Sequence, residues 1–111
     1  MIKGIKLFDP YVDKIEEKSI VNVLKSHFWA SGAGTNNVQK FEQQFQKYVN
    51  SDNTVAVNSG TAALHLSLSL LDLRNKEVII PSLSFVSTAH AIILNHAKPV
   101  FVGIDPKTMC I

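Results

Sequence analysis

Residues Asn58-Ser59-Gly60-Thr61-Ala62-Ala63 set a glycine and hydroxyl side chains between an apolar run, 54–57, and a stretch of small and apolar residues that reads as a helix. The first turn of a helix leaves backbone N–H groups without intrahelical partners and carries a partial positive charge. A glycine there lets an anion approach the backbone closely, and the Ser59 and Thr61 hydroxyls can add hydrogen bonds. The chemistry this favours is phosphate binding. The same residues would serve equally as an ordinary helix cap. No Gly-Lys-Ser/Thr follows, so the segment is not a Walker A loop. With Gly60 alone, it is not the dinucleotide-binding glycine fingerprint either.

A second candidate segment is Pro81-Ser82-Leu83-Ser84-Phe85-Val86-Ser87-Thr88-Ala89-His90, directly after the apolar run 77–80. Parallel α/β sheets bind ligands beyond the carboxyl ends of their strands. Phe85 falls in that place beside Ser84, Ser87 and Thr88, where an aromatic ring can stack on a flat heterocycle. Taken alone, it reads more simply as a core phenylalanine. His27, His65, His90 and His96 lack metal-ligand spacing and Cys110 is the sole cysteine, so no metal site is expected.

The elements that must position these residues are legible from spacing. Asp9-Pro10 suits a helix start, with aspartate as the cap and proline at the first helical position. Val12, Ile15, Ile20, Val23 and Leu24 then follow near one face. Trp29 to Gly34 is loop-like. A second helix is expected from about Asn36, where Val38, Phe41, Phe45, Tyr48 and Val49 make an amphipathic stripe that reads as core. Asn50 to Asn53 is turn chemistry. Residues 54–57 read as a short buried strand, 62–71 as a helix, 77–80 as a strand, 86–94 as a short helix and 99–103 as a third strand. This alternation predicts an α/β fold with parallel strands and crossover helices.

Composition bounds the function classes. The chain has 111 residues, 46% hydrophobic and 18% charged, with a net charge of +2 from scattered residues. That length fits one domain at most. No one-sided basic stripe marks a nucleic-acid binder. One cysteine fits a reducing compartment. The start of the chain lacks the apolar run of a signal peptide, and no apolar stretch approaches the roughly 18–20 residues that span a bilayer. A soluble cytoplasmic protein, without nucleic-acid or membrane partners, is the expectation.

Three segments together resemble a known family. Ser-Gly-Thr-Ala-Ala-Leu-His-Leu (59–66), Glu-Val-Ile-Ile-Pro-Ser-Leu-Ser-Phe-Val-Ser-Thr-Ala (77–89) and Lys-Pro-Val-Phe-Val-Gly-Ile-Asp-Pro-Lys-Thr (98–108) look like the DegT/DnrJ/EryC1/StrS aminotransferases. Upstream, Phe28-Trp29-Ala30-Ser31-Gly32 and Val38-Gln39-Lys40-Phe41-Glu42 resemble that family's first loop and second helix. The resemblance implies the N-terminal part of a fold-type I pyridoxal-phosphate enzyme's large domain. Residues 1–50 would supply helices and a substrate loop, and 54–103 a βαβαβ segment with the phosphate turn, in which 77–80 and 99–103 pair in parallel while 54–57 stands apart with unpaired backbone groups.

By the same resemblance, Gly60 and Thr61 would hold the phosphate of pyridoxal phosphate, with Ser59 at the edge, and Phe85 would stack on its ring. Trp29, Ala30, Ser31 and Gly32 would line a nucleotide-sugar pocket near a subunit interface. The complete enzyme would be a homodimer that transfers an amino group, from a donor such as glutamate, to a keto sugar on a nucleotide carrier for polysaccharide biosynthesis. The family's cofactor-binding lysine and its ring-nitrogen aspartate lie well downstream of this region. Lys98 and Lys107 fall outside the family's lysine motif, so no catalytic residue is assigned here, and the 111 residues are not expected to be active alone. His90 stands where the family often has asparagine and is given no role. The alternative is a non-catalytic module that binds a phosphorylated ligand or a subunit.

Overall fold

The computed structural model describes residues 4–29 and 37–111, which fall into two compact units divided between Ala56 and Val57. The first unit carries two helices, α1 (Lys14–Ser26) and α2 (Asn37–Val49). The second carries α3 (Gly60–Ser69), β1 (Glu77–Pro81), α4 (Ser87–Leu94) and β2 (Lys98–Val102).

Helix α1 begins later than Asp9-Pro10 suggests. Its cap is Asp13, whose side chain accepts from the Ile15 amide at 2.6 Å, while Glu16 accepts from the Asp13 amide at 2.9 Å. This reciprocal pair satisfies donors that a helix start would otherwise strand. Asp13 outcompetes Asp9 because only Asp13 has a glutamate at the third helical position. The Ile15 amide, with the Glu16 side chain second, holds the Asp13 carboxyl below the usual aspartate range. His27 ends the helix in a left-handed conformation, and its N–H bonds Leu24.

In α2 the aromatic stripe forms as its spacing predicts. The rings of Phe41 and Phe45 lie 5.9 Å apart and those of Phe45 and Tyr48 6.4 Å apart. The stripe is not a core in this chain, however: all three side chains remain exposed. Periodicity sets which face a residue occupies, while burial needs a partner against that face.

The second unit is built around a parallel β1–β2 pair with Glu77 opposite Lys98 and Ile80 opposite Phe101. The intervening α4 packs against both strands and against α3. Its inward face supplies Ala91 and Ile92, which with Ile80 of β1 are the buried hydrophobic residues among those described. Glu77 and Lys98 tie the strand starts through a 2.8 Å ion pair. The lysine hydrogen bond and charge depress the Glu77 carboxyl and, reciprocally, raise the Lys98 ammonium.

Residues 54–57 stand apart from the parallel β1–β2 pair as the resemblance implies, but the expected buried strand there is corrected by the structure. Residues 54–57 belong to no ladder among the described residues, and Val55 is exposed. A strand needs a neighbour, and the Ala56 amide instead donates to Glu42 Oε1 of α2 at 2.8 Å. The sheet therefore contains only β1 and β2 among the described residues, so the βαβαβ reading reduces to βαβ preceded by a helix.

Candidate functional site

The site is best built from the head of α3. Ser59 is the helix cap: its extended backbone turns the chain into the helix, and its Oγ accepts from the Ala62 amide at 3.1 Å. The Ser59 carbonyl takes the next amide, that of Ala63, at 3.0 Å. The first bond satisfies one of the four amides, those of Ser59 to Ala62, that the helix start leaves open, and the second is the first bond of the helix itself. The Gly60 and Thr61 amides have no acceptor among the described residues. Capping and anion binding, which the sequence left as alternatives, are thus divided between residues: Ser59 caps, and the next two amides stay available.

Gly60 itself is not required by the chain. It does not adopt a left-handed backbone, and a Cβ built on it would meet nothing within 4 Å. Its missing side chain leaves open space on the helix head, which suits close approach of an anionic group.

Phe85 corrects the simpler expectation of a core residue. It lies just before α4 and is 77% exposed. Its carbonyl accepts from the Thr88 amide at 3.1 Å, and Ser84 and Thr88 join hydroxyls at 3.0 Å across the same turn. The ring faces a hollow of ≈ 230 Å³ with Ile80, Pro81, Ser84, Thr88 and Phe101 in its lining. This hollow lies at the carboxyl end of β1, where parallel sheets place ligands. Phe101 was not singled out by sequence; its pairing with Ile80 across the ladder brings it there. Ser59, Gly60 and Thr61 do not line this hollow. The two candidate segments therefore share a unit without sharing a cavity.

Trp29, in the first unit, is 69% exposed, and its indole N–H reaches the Leu24 carbonyl at 3.4 Å. Ala30, Ser31 and Gly32 lie outside the described residues. Lys98 is held by Glu77, and the Lys107 amide bonds the Asp105 carboxylate in a turn at 2.6 Å.

Comparison with solved structures defines the class first. The chain is similar to E. coli GDP-4-keto-6-deoxy-D-mannose-3-dehydratase with bound hydrated pyridoxal phosphate (TM-score 0.81, 28% identity, 96% of this chain and 28% of that one). It is also similar to an aminotransferase from Streptoalloteichus hindustanus (TM-score 0.76, 31% identity, 96% and 29%). The segment is α/β and corresponds to the N-terminal part of the fold-type I pyridoxal-phosphate enzyme large domain.

The family follows from sequence: residues 10–111 match the DegT/DnrJ/EryC1/StrS aminotransferase family, and the chain belongs to it. Relatives include the dTDP-4-dehydro-2,3,6-trideoxy-D-glucose 4-aminotransferase of Saccharopolyspora spinosa, 38% identical over 95% of this chain. GDP-perosamine synthase of Escherichia coli O157:H7 is 35% identical over 96% of it. The chain spans 27% and 29% of the length of these two relatives. Pyridoxal phosphate is the cofactor of the complete enzyme. The free amides at Gly60 and Thr61 and the open space at Gly60 suit a phosphate, and the uncovered Phe85 ring suits a flat aromatic ring, the two parts of that group.

Proposed function

We propose that this chain is the cofactor-cradling N-terminal segment of an aminotransferase that acts on a keto sugar linked to a nucleotide. The observation that carries the reading is the head of α3, where the amides of Gly60 and Thr61 are left free beside a glycine that the chain does not itself require. In a member of this family, that head would bind the cofactor phosphate through two amides and the helix dipole. The Thr61 hydroxyl would add a hydrogen bond, with Ser59 fixing the helix start. Phe85 would stack on the ring, excluding water from one face. When bound, pyridoxal phosphate supplies the electron sink and carries the amino group between donor and sugar.

The remaining parts of the reading follow from the kinds of substrate that the relatives are named for. Trp29 to Gly32 would contact the nucleotide sugar, an amino donor such as glutamate would recharge the cofactor, and the enzyme would act as a cytoplasmic homodimer. The 111 residues alone would not transfer an amino group, because Lys98 and Lys107 fall outside the family's lysine motif. Borohydride reduction after incubation of these residues with pyridoxal phosphate, followed by peptide mapping, tests this. A stoichiometric adduct on Lys98 or Lys107, together with amino transfer, would refute it. The cradle is tested in the complete protein by Phe85→Ala and Gly60→Val, each expected to weaken binding of pyridoxine phosphate about ten-fold or more. Unchanged affinity in both would leave the α3 head as a cap only.

A further inference from the structure

A polar bridge joins the helices that carry the two halves of this cradle. Asn95, half-buried at the C-cap of α4, donates through Nδ2 to two carbonyls: Ala91 of its own helix at 2.8 Å and His65 of α3 at 3.2 Å. No other side-chain hydrogen bond connects α3 to α4 among the described residues. The two helices pack together and are composed mainly of small and apolar residues, and apolar contact is not directional. Such a surface can slip or rotate at low cost, and one helical turn of slip amounts to about 5.4 Å. A donor shared between carbonyls on two helices fixes both register and rotation.

We infer that Asn95 is a positioning residue that sets α3 against α4. It thereby sets the separation between the free amides at the head of α3 and Phe85, which lies two residues before the start of α4. This rests on the cradle reading above. A ligand with only a phosphate needs the Gly60 and Thr61 amides. A ligand with a phosphate and a ring needs those amides and Phe85 at a fixed spacing. Asn95 therefore matters to the second ligand and not to the first.

The test uses the complete protein and two probes: inorganic phosphate, read by amide shifts at Gly60 and Thr61, and pyridoxine phosphate, read by calorimetry. Pyridoxine phosphate lacks the aldehyde, so covalent attachment does not contribute. Asn95→Asp keeps the volume but turns the donor into an acceptor facing two carbonyls; Asn95→Ala removes the group and suits a helix end should the aspartate fail to fold. Both are expected to weaken pyridoxine phosphate about ten-fold while inorganic phosphate stays within about two-fold. Equal changes for the two probes, or no change for either, would overturn the inference. Wild-type protein in which phosphate leaves the Gly60 and Thr61 amides unmoved would overturn the cradle itself, and the inference with it.

Discussion

Glu42 Oε1 accepts the amide of Ala56 at 2.8 Å, a bond across fourteen positions that replaces the ladder partner residues 54–57 lack. A half-buried amide without an acceptor is costly, and a carboxylate is a strong acceptor. Removing the carboxylate in the complete protein, as in Glu42→Ala, should cost roughly 1.5 kcal/mol, the low end for a charged acceptor given the partial exposure. Glu42→Gln retains the acceptor oxygen and should cost less. Denaturant unfolding measures both. Hydrogen exchange at Ala56 should accelerate in the alanine variant, and an unchanged exchange rate would show that the bond is not formed in solution.

Ser59 and Gly60 should separate stability from binding. Ser59→Ala removes the cap on the Ala62 amide and should destabilise by about 1 kcal/mol. Gly60→Ala meets no atom within 4 Å and needs no strained backbone, so it should stabilise by roughly 0.4–1 kcal/mol through the unfolded state. The same methyl group occupies the open space at the helix head and should weaken pyridoxine phosphate. Thermal unfolding and calorimetry on the pair check this, and a stabilised Gly60→Ala protein with unaltered affinity would contradict the cradle.

These two predictions also mark what the sequence made legible. The Ser-Gly-Thr turn, α2 and the β1–α4–β2 unit could all be read from local spacing and turn residues. Their boundaries shifted by a residue or two, as at β2, which runs from Lys98 to Val102 rather than 99–103. What failed depended on partners. Residues 54–57 stand apart from the sheet as expected, but their strand composition does not bury them, and Glu42 takes the Ala56 amide. Phe85 and the Phe41–Phe45–Tyr48 stripe have core composition, yet exposure is decided by what packs over them. Asn95 gave no local signal because its second acceptor, His65, lies thirty positions away.

His96 adopts φ 59°, a left-handed conformation that costs a side chain about 1 kcal/mol and glycine little. It follows the α4 cap, where glycine is the usual residue. His96→Gly should therefore stabilise the protein by about 1 kcal/mol without altering ligand affinity. Thermal unfolding is the measurement, and a destabilised glycine variant would mean that the imidazole makes a contact worth more than the strain.

The Glu77–Lys98 pair predicts two pH limbs. Glu77 is depressed by the Lys98 hydrogen bond and charge, so its contribution is present above the ordinary glutamate value of about 4.3 and is lost as pH falls through its lower folded value. Lys98 is raised by Glu77, so its contribution is present below about 10.4 and is lost as pH rises through the higher folded value. Both groups are exposed, so added salt should shrink each limb. Glu77→Gln should flatten both limbs in unfolding curves recorded across pH at low salt. A wild-type-like acid limb in that variant would assign the effect to another carboxylate.

The polypeptide limited to residues 1–111 should fold only marginally and self-associate. In the second unit, the buried hydrophobic residues are Ile80, Ala91 and Ile92, while Leu64, Leu66, Ile79, Ile93 and Phe101 remain uncovered. Three buried side chains contribute roughly 1.5–3 kcal/mol each for the larger ones, against about 1–2 kcal/mol of backbone entropy per ordered residue. Among the described residues the sheet holds two strands, each with one edge unpaired, and a free edge beside apolar side chains is a template for pairing with another chain. Light scattering should report concentration-dependent oligomers, and hydrophobic dyes should bind strongly. Amide exchange should be slow only around β1, α4 and β2. A monomer that melts cooperatively, with protected amides at 54–57, would show that these residues find a ladder partner after all. It would favour a self-sufficient binding module over a segment that needs further chain to complete its core.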